Sequence, residues 1–69
     1  MRAVIKYRDG CNKRHQVTIQ TPIDEPNFIV REAVRLGKVW RGSDVRTIQC
    51  GRSIYYWKGV AYDAFPERA

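Results

Sequence analysis

Long apolar runs, paired cysteines, clustered metal ligands and acidic residues are all scarce in this chain. Its 69 residues hold no apolar stretch of even eight, so neither a membrane-spanning helix nor a secretory leader is expected. Cys11 and Cys50 are too few for a disulfide framework and lack a metal-ligand spacing. They are expected as idle or buried thiols in a reducing cytoplasm, with a Cys11–Cys50 bridge as the open alternative. Gly37, Gly42, Gly51 and Gly59 stand apart from one another, which excludes a glycine-rich phosphate loop. His15 is the sole histidine, with no serine or cysteine at a diagnostic spacing and no G-x-S-x-G around Ser43 or Ser53. Asp24 and Glu25 precede a helix, where capping and the helix dipole account for them. A chain this short leaves much of its surface wet and does not easily keep a deep, dry pocket. The expectation is a protein that is not an enzyme, with no cofactor, no bound metal and no small-molecule substrate.

The shortage of acids is the most informative lack. Thirteen Lys and Arg face seven Asp and Glu, for a net charge of +6. The isoelectric point is near 9.8. Such a field favours encounter with nucleic acid or an acidic protein surface. The bland alternative is a charge that only keeps molecules apart in solution.

What is present begins with a single helical period, over 26–37, PNFIVREAVRLG. At about 100° per residue, Ile29, Val30, Ala33, Val34 and Leu36 fall within an arc of roughly 160°. Asn27, Arg31, Glu32 and Arg35 take the other side. Asp24 or Glu25 supplies the cap, Pro26 suits the first turn, and Gly37 is a left-handed stop. Residues 2–8 and 15–20 alternate as strands around a hairpin loop at 9–13 that opens on Asp9-Gly10. After the helix comes a basic connector, 38–44. Strands at 45–50 and 53–57 follow, then a short fifth strand at 60–65 and a frayed tail at 66–69.

The reading is one compact α+β domain over 1–69. A single helix packs on one face of a four- to five-stranded antiparallel sheet in the order ββαββ(β). The expected core is Ile5, Val17, Ile19, Ile29, Val30, Ala33, Val34, Leu36, Ile48 and Ile54.

Basic residues interleaved with aromatics are the constellation that bears on function. Alternation sends Tyr55 and Trp57 to one face of their strand and Tyr56 and Lys58 to the other. An exposed aromatic pair framed by arginine stacks bases or anchors a protein; otherwise these rings are core and cross-strand pairs. Phe28 lies off the apolar arc, either as a staple against Ile23 or as an exposed apolar spot on a basic face. The expected partner-binding residues are Arg31, Arg35, Lys38, Trp40, Arg41 and Arg52. The expected nucleic-acid-binding residues are Arg2, Lys6, Arg8, Lys13 and Arg14, a stripe that tracks phosphates or merely keeps the edge solvated.

The succession of a VIKY strand and hairpin, a helix ending in REAVRLG, a connector ending in Gly42, the strand DVRTIQ and the aromatic hairpin IYYWKGVAY resembles the small phage-encoded anti-CRISPR proteins of type I-F. That resemblance implies a non-enzymatic inhibitor in the cytoplasm of a host bacterium. It would dock on the backbone subunits of a Cascade-type, RNA-guided surveillance complex, obstruct target DNA and contact DNA while bound. The positive charge argues against mimicry of DNA. A free-standing nucleic-acid-binding module and a phage inhibitor of host RNA polymerase share the layout and are the alternatives.

Overall fold

Alternating side chains build the first hairpin. A computed structural model describes residues 1–65, with strands β1 (Arg2–Arg8), β2 (Arg14–Gln20), β3 (Asp44–Cys50) and β4 (Ser53–Tyr56). The helix α1 (Pro26–Arg35) lies between β2 and β3, and a short 3-10 helix, η1 (Ala61–Ala64), follows β4. The four strands form one antiparallel sheet in the order β2-β1-β3-β4, which is the ββαββ α+β arrangement read from the sequence. The tail at 66–69 lies outside the described residues. Among the described residues no helix is long and apolar enough to cross a membrane.

The helix is framed as its sequence requires. The Glu25 carboxylate accepts from the backbone N–H groups of Asn27 and Phe28 at 3.1 and 2.8 Å, and Pro26 takes the first turn. At the other end Gly37, at φ 74°, lets its N–H reach the Val34 carbonyl while the Lys38 N–H reaches that of Ala33. Both bonds satisfy carbonyls that the last turn leaves open. Ile29, Val30 and Ala33 are thereby pressed onto Ala3, Ile5, Ile19, Val45, Ile48 and Cys50 of the sheet, with Val39, Ala61 and Ala64 closing the core.

Three expectations need correction. Leu36 is 52% exposed, because it is the C-cap residue and the chain leaves the helical projection there. Ile54 is 55% exposed: Tyr55 and Trp57 take the inner face of β4, and the Tyr55 hydroxyl donates to Asp24 Oδ1 at 2.9 Å, so Ile54 points away with Tyr56. The expected fifth strand amounts to one bridge, Val60 to Asp44. The Ala61 and Tyr62 N–H groups then bond back to the carbonyls of Ser43 and Arg41, which turns the chain into η1 and buries Ala61 and Ala64. Both cysteines are free, Cys11 exposed on the hairpin loop and Cys50 buried at the far end of β3. Burial pushes the Cys50 thiol up.

The β1–β2 loop is tied by one carboxylate. Asp9 Oδ1 accepts from the N–H groups of Cys11 and Lys13 at 2.8 and 3.0 Å, while Oδ2 lies 2.6 Å from His15 Nε2. The His15 ring stacks on Tyr7 at 5.3 Å. The Lys13 bond, followed by His15, pulls the Asp9 carboxyl down from 3.8 to about 2. A depressed carboxyl stabilises the fold fully above its unfolded value and ceases to do so as pH falls through its folded one. Acid should therefore weaken wild type between about pH 4 and pH 2, and urea midpoints across that window should fall less for Asp9→Asn. Removing the helix cap with Glu25→Ala should cost about 1 kcal/mol in urea unfolding at neutral pH.

Candidate partner and nucleic-acid surfaces

Every described acid has local work. Asp9 ties the hairpin loop, Asp24 receives Tyr55, Glu25 caps α1, Glu32 pairs with Arg35, Asp44 pairs with Arg46 and Asp63 accepts from the Val60 N–H. Among the described residues only Arg35 and Arg46, of all Lys and Arg side chains, lie within ion-pair distance of a carboxylate. Several of the remaining cations gather on two surfaces.

The first surface lies on the helix side. Phe28, Arg31, Glu32, Val34 and Arg35 of α1 face Arg41 of the connector and Tyr62 and Phe65 of the last segment across a groove of about 590 Å³. The Arg31 guanidinium sits over the Phe28 ring and that of Arg41 over Tyr62, each at 5.9 Å. Tyr62 also stacks on Phe65. Arg41 and Tyr62 line a neighbouring depression together with Trp40, Gly42 and Val60. Trp40 is 65% exposed. A Cβ on Gly42 would lie 2.5 Å from the Trp40 ring, so the missing side chain is what lets the indole lie flat there. The Ser43 N–H to Trp40 carbonyl bond, 2.8 Å, closes the turn beneath it.

Four of the six expected partner residues, Arg31, Arg35, Trp40 and Arg41, are brought together here. Lys38 and Arg52 are not. Lys38 follows the helix cap, where its carbonyl accepts from the Tyr7 hydroxyl. Arg52 sits in the β3–β4 turn, at the far end of a strand about 20 Å long. Phe28 is a half-buried wall of the groove beneath Arg31, while Ile23 is exposed.

The second surface is the uncovered face of the sheet. The register aligns Gln16, Lys6, Thr47 and Tyr56 in one row across all four strands, with Thr18, Val4, Gln49 and Ile54 in the next. Arg8 lies opposite Arg14 at the end of this face. Pairing shifts between Lys6 and Tyr7, so Arg46 becomes the extra residue of a bulge on β3. Lys6, Arg8, Arg14 and Arg46 thus line one depression of about 470 Å³. Three of the five expected nucleic-acid residues meet in it. Arg2 lies at the other end of β1, beside Val4, Gln49 and Gly51. Lys13 stays on the hairpin loop, outside the depression.

Arg46 and Tyr56 belong to the basic and aromatic constellation of the sequence but not to its expected binding residues. Tyr56 is 84% exposed and was legible only as one half of an alternating pair. The position of Arg46 depends on the bulge, for which the sequence carries no glycine or proline signal. Neither the family models, nor the characterised proteins, nor the solved structures compared with this chain gave a match, so both surfaces are read from its own residues.

Proposed function

We propose that the chain is a non-enzymatic inhibitor that docks through its helix-side strip onto a protein component of a host nucleic-acid-handling complex. The surveillance complex of the sequence resemblance is the leading target, and the outcome is obstruction of target DNA. One observation carries the docking step: Trp40 lies exposed and flat over Gly42, beside the Arg41–Tyr62 and Arg31–Phe28 pairs. Trp, Tyr and Arg dominate binding energy at protein interfaces, where their large surfaces become fully desolvated. Neither Arg31 nor Arg41 has an acid partner among the described residues, so both can meet carboxylates of another protein. A free-standing nucleic-acid-binding module is the second reading, favoured by the cations of the open sheet face.

Purified chain mixed with a guide-loaded surveillance complex should bind it and prevent target DNA from binding. Trp40→Ala and Arg41→Glu should each weaken binding at least about ten-fold, the loss of a single interface anchor. Gly42→Val should act similarly by displacing the indole, with a thermal midpoint close to wild type. Full inhibition by all three variants would refute the strip. Binding to RNA polymerase in place of the surveillance complex would keep the strip and change the target.

A further inference from the structure

The open face of the sheet is a separate surface, turned away from the docking strip because α1 covers the opposite side. We infer that it binds a single strand of nucleic acid, with Tyr56 stacking a base and Lys6, Arg8, Arg14 and Arg46 holding the flanking phosphates. This rests on the second reading above, whose ligand it names, and does not depend on the docking reading.

Charge is the first support. Arg8 and Arg14 stand directly opposite each other, an arrangement that is unfavourable between neighbouring strands unless something offsets it. Arg8 has Asn12 Oδ1 at 3.1 Å, a neutral partner, and Asp44, opposite Arg8 on β3, has its carboxylate paired with Arg46 at 2.9 Å. Lys6 and Arg14 have no carboxylate partner among the described residues. A chain of phosphates supplies the missing negative charge and releases its own counterions as it does so.

Geometry is the second. Tyr56 stands on the same side of the sheet and in the same row as Lys6, two strand spacings or about 10 Å away. A base laid on its ring leaves the sugar–phosphate backbone free to run across Thr47 towards the basic depression. Four-stranded sheets of this kind offer room for about two or three nucleotides. Apart from Tyr56, the large apolar side chains in these rows, Val4 and Ile54, are interspersed with Thr18, Thr47, Gln16 and Gln49. That mixture lacks the apolar core of an interface with a second copy.

A duplex fits less well. Reading double-stranded DNA requires a helix or ribbon that enters a groove, and in a duplex the base faces are already stacked on one another. The ring of Tyr56 is useful only to an unstacked base, and every base has a face to offer it. Sequence-tolerant binding to either DNA or RNA is expected.

The test is fluorescence anisotropy with labelled ten-residue oligothymidylate and oligouridylate at about 50 mM salt, each added to the intact chain. Both should bind, with log K falling against log salt at a slope of about −2 to −3 for three or four phosphate contacts. A preference for one of them would identify the sugar that is read. Tyr56→Ala should weaken binding about ten-fold with an unchanged salt slope, and Tyr56→Phe should restore it. Arg14→Gln should lower the slope by about 0.7. Circular dichroism should show all three variants folded, since both positions are exposed. Trp40→Ala should bind the oligomers like wild type, so failure of the docking strip and failure of this face are read separately. Absence of binding to both oligomers, equal affinity of Tyr56→Ala and wild type, or equal competition by a duplex or by polyglutamate would overturn the inference.

Discussion

One contact organises the molecule: the apolar arc of α1 against the inner face of the sheet. Ile29, Val30 and Ala33 from the helix meet Ile5, Ile48 and Val45 from the two central strands, all of them fully buried. A core in a chain of this size rarely supplies more than about 3–5 kcal/mol of net stability. Losing one of those isoleucine side chains to alanine costs about 2–5 kcal/mol, the same range as the whole. Among the described residues no second layer shares that burden. The helix covers one face only, and among the described residues no element lies over the other.

The acids follow from the same shortage. A single helix needs a cap, a five-residue hairpin loop needs an acceptor, and a bulged strand needs something to hold its displaced arginine. Glu25, Asp9 and Asp44 meet these needs. With the described carboxylates held at such points, the acids beside the basic depression are Asp44, paired with Arg46, and Asp9, held by His15. A uniform scatter of cations would give the same net charge without two surfaces of this kind. Here Lys6, Arg8, Arg14 and Arg46 gather on one surface and Arg31, Arg35 and Arg41 on the other.

The legible parts of the sequence were those set by local period. The 3.6 repeat of 26–37, the alternation of 2–8 and 15–20 and the Asp9-Gly10 turn each placed their elements within a residue or two of the observed bounds. What failed depended on partners distant in sequence. The alternation of 45–50 alone puts Val45 and Ile48 on opposite sides; the bulge beside Lys6 and Tyr7 reconciles them and sends both inward. Ile54 lost the inner face to Tyr55 because Asp24, thirty-one residues earlier, was there to receive the hydroxyl. The segment 60–65 has strand-like composition, yet the carbonyls of Arg41 and Ser43 captured its N–H groups and curled it. The same capture assembled the helix-side groove, since it carries Tyr62 to Arg41 and Phe65 to the wall opposite Phe28. Thirty-odd residues separate those rings along the chain, and no spacing rule joins them.

The placement of the two surfaces has a further consequence. The strip of Trp40, Arg41 and Arg31 belongs to α1 and the segments that flank it, while Lys6, Arg14 and Tyr56 belong to the back of the sheet. A protein bound to the first leaves the second uncovered, with the buried core between them. On the two proposals above, a protein and a nucleic-acid strand would be held together, with no choice between them. For an inhibitor of a nucleic-acid-handling complex that arrangement has a physical advantage. Docking on the protein raises the local concentration of the basic face beside any strand the complex exposes, so even weak intrinsic affinity for that strand becomes effective. The face proposed to bind a strand then needs only a few phosphate contacts and one stacking ring, which Lys6, Arg8, Arg14, Arg46 and Tyr56 would supply.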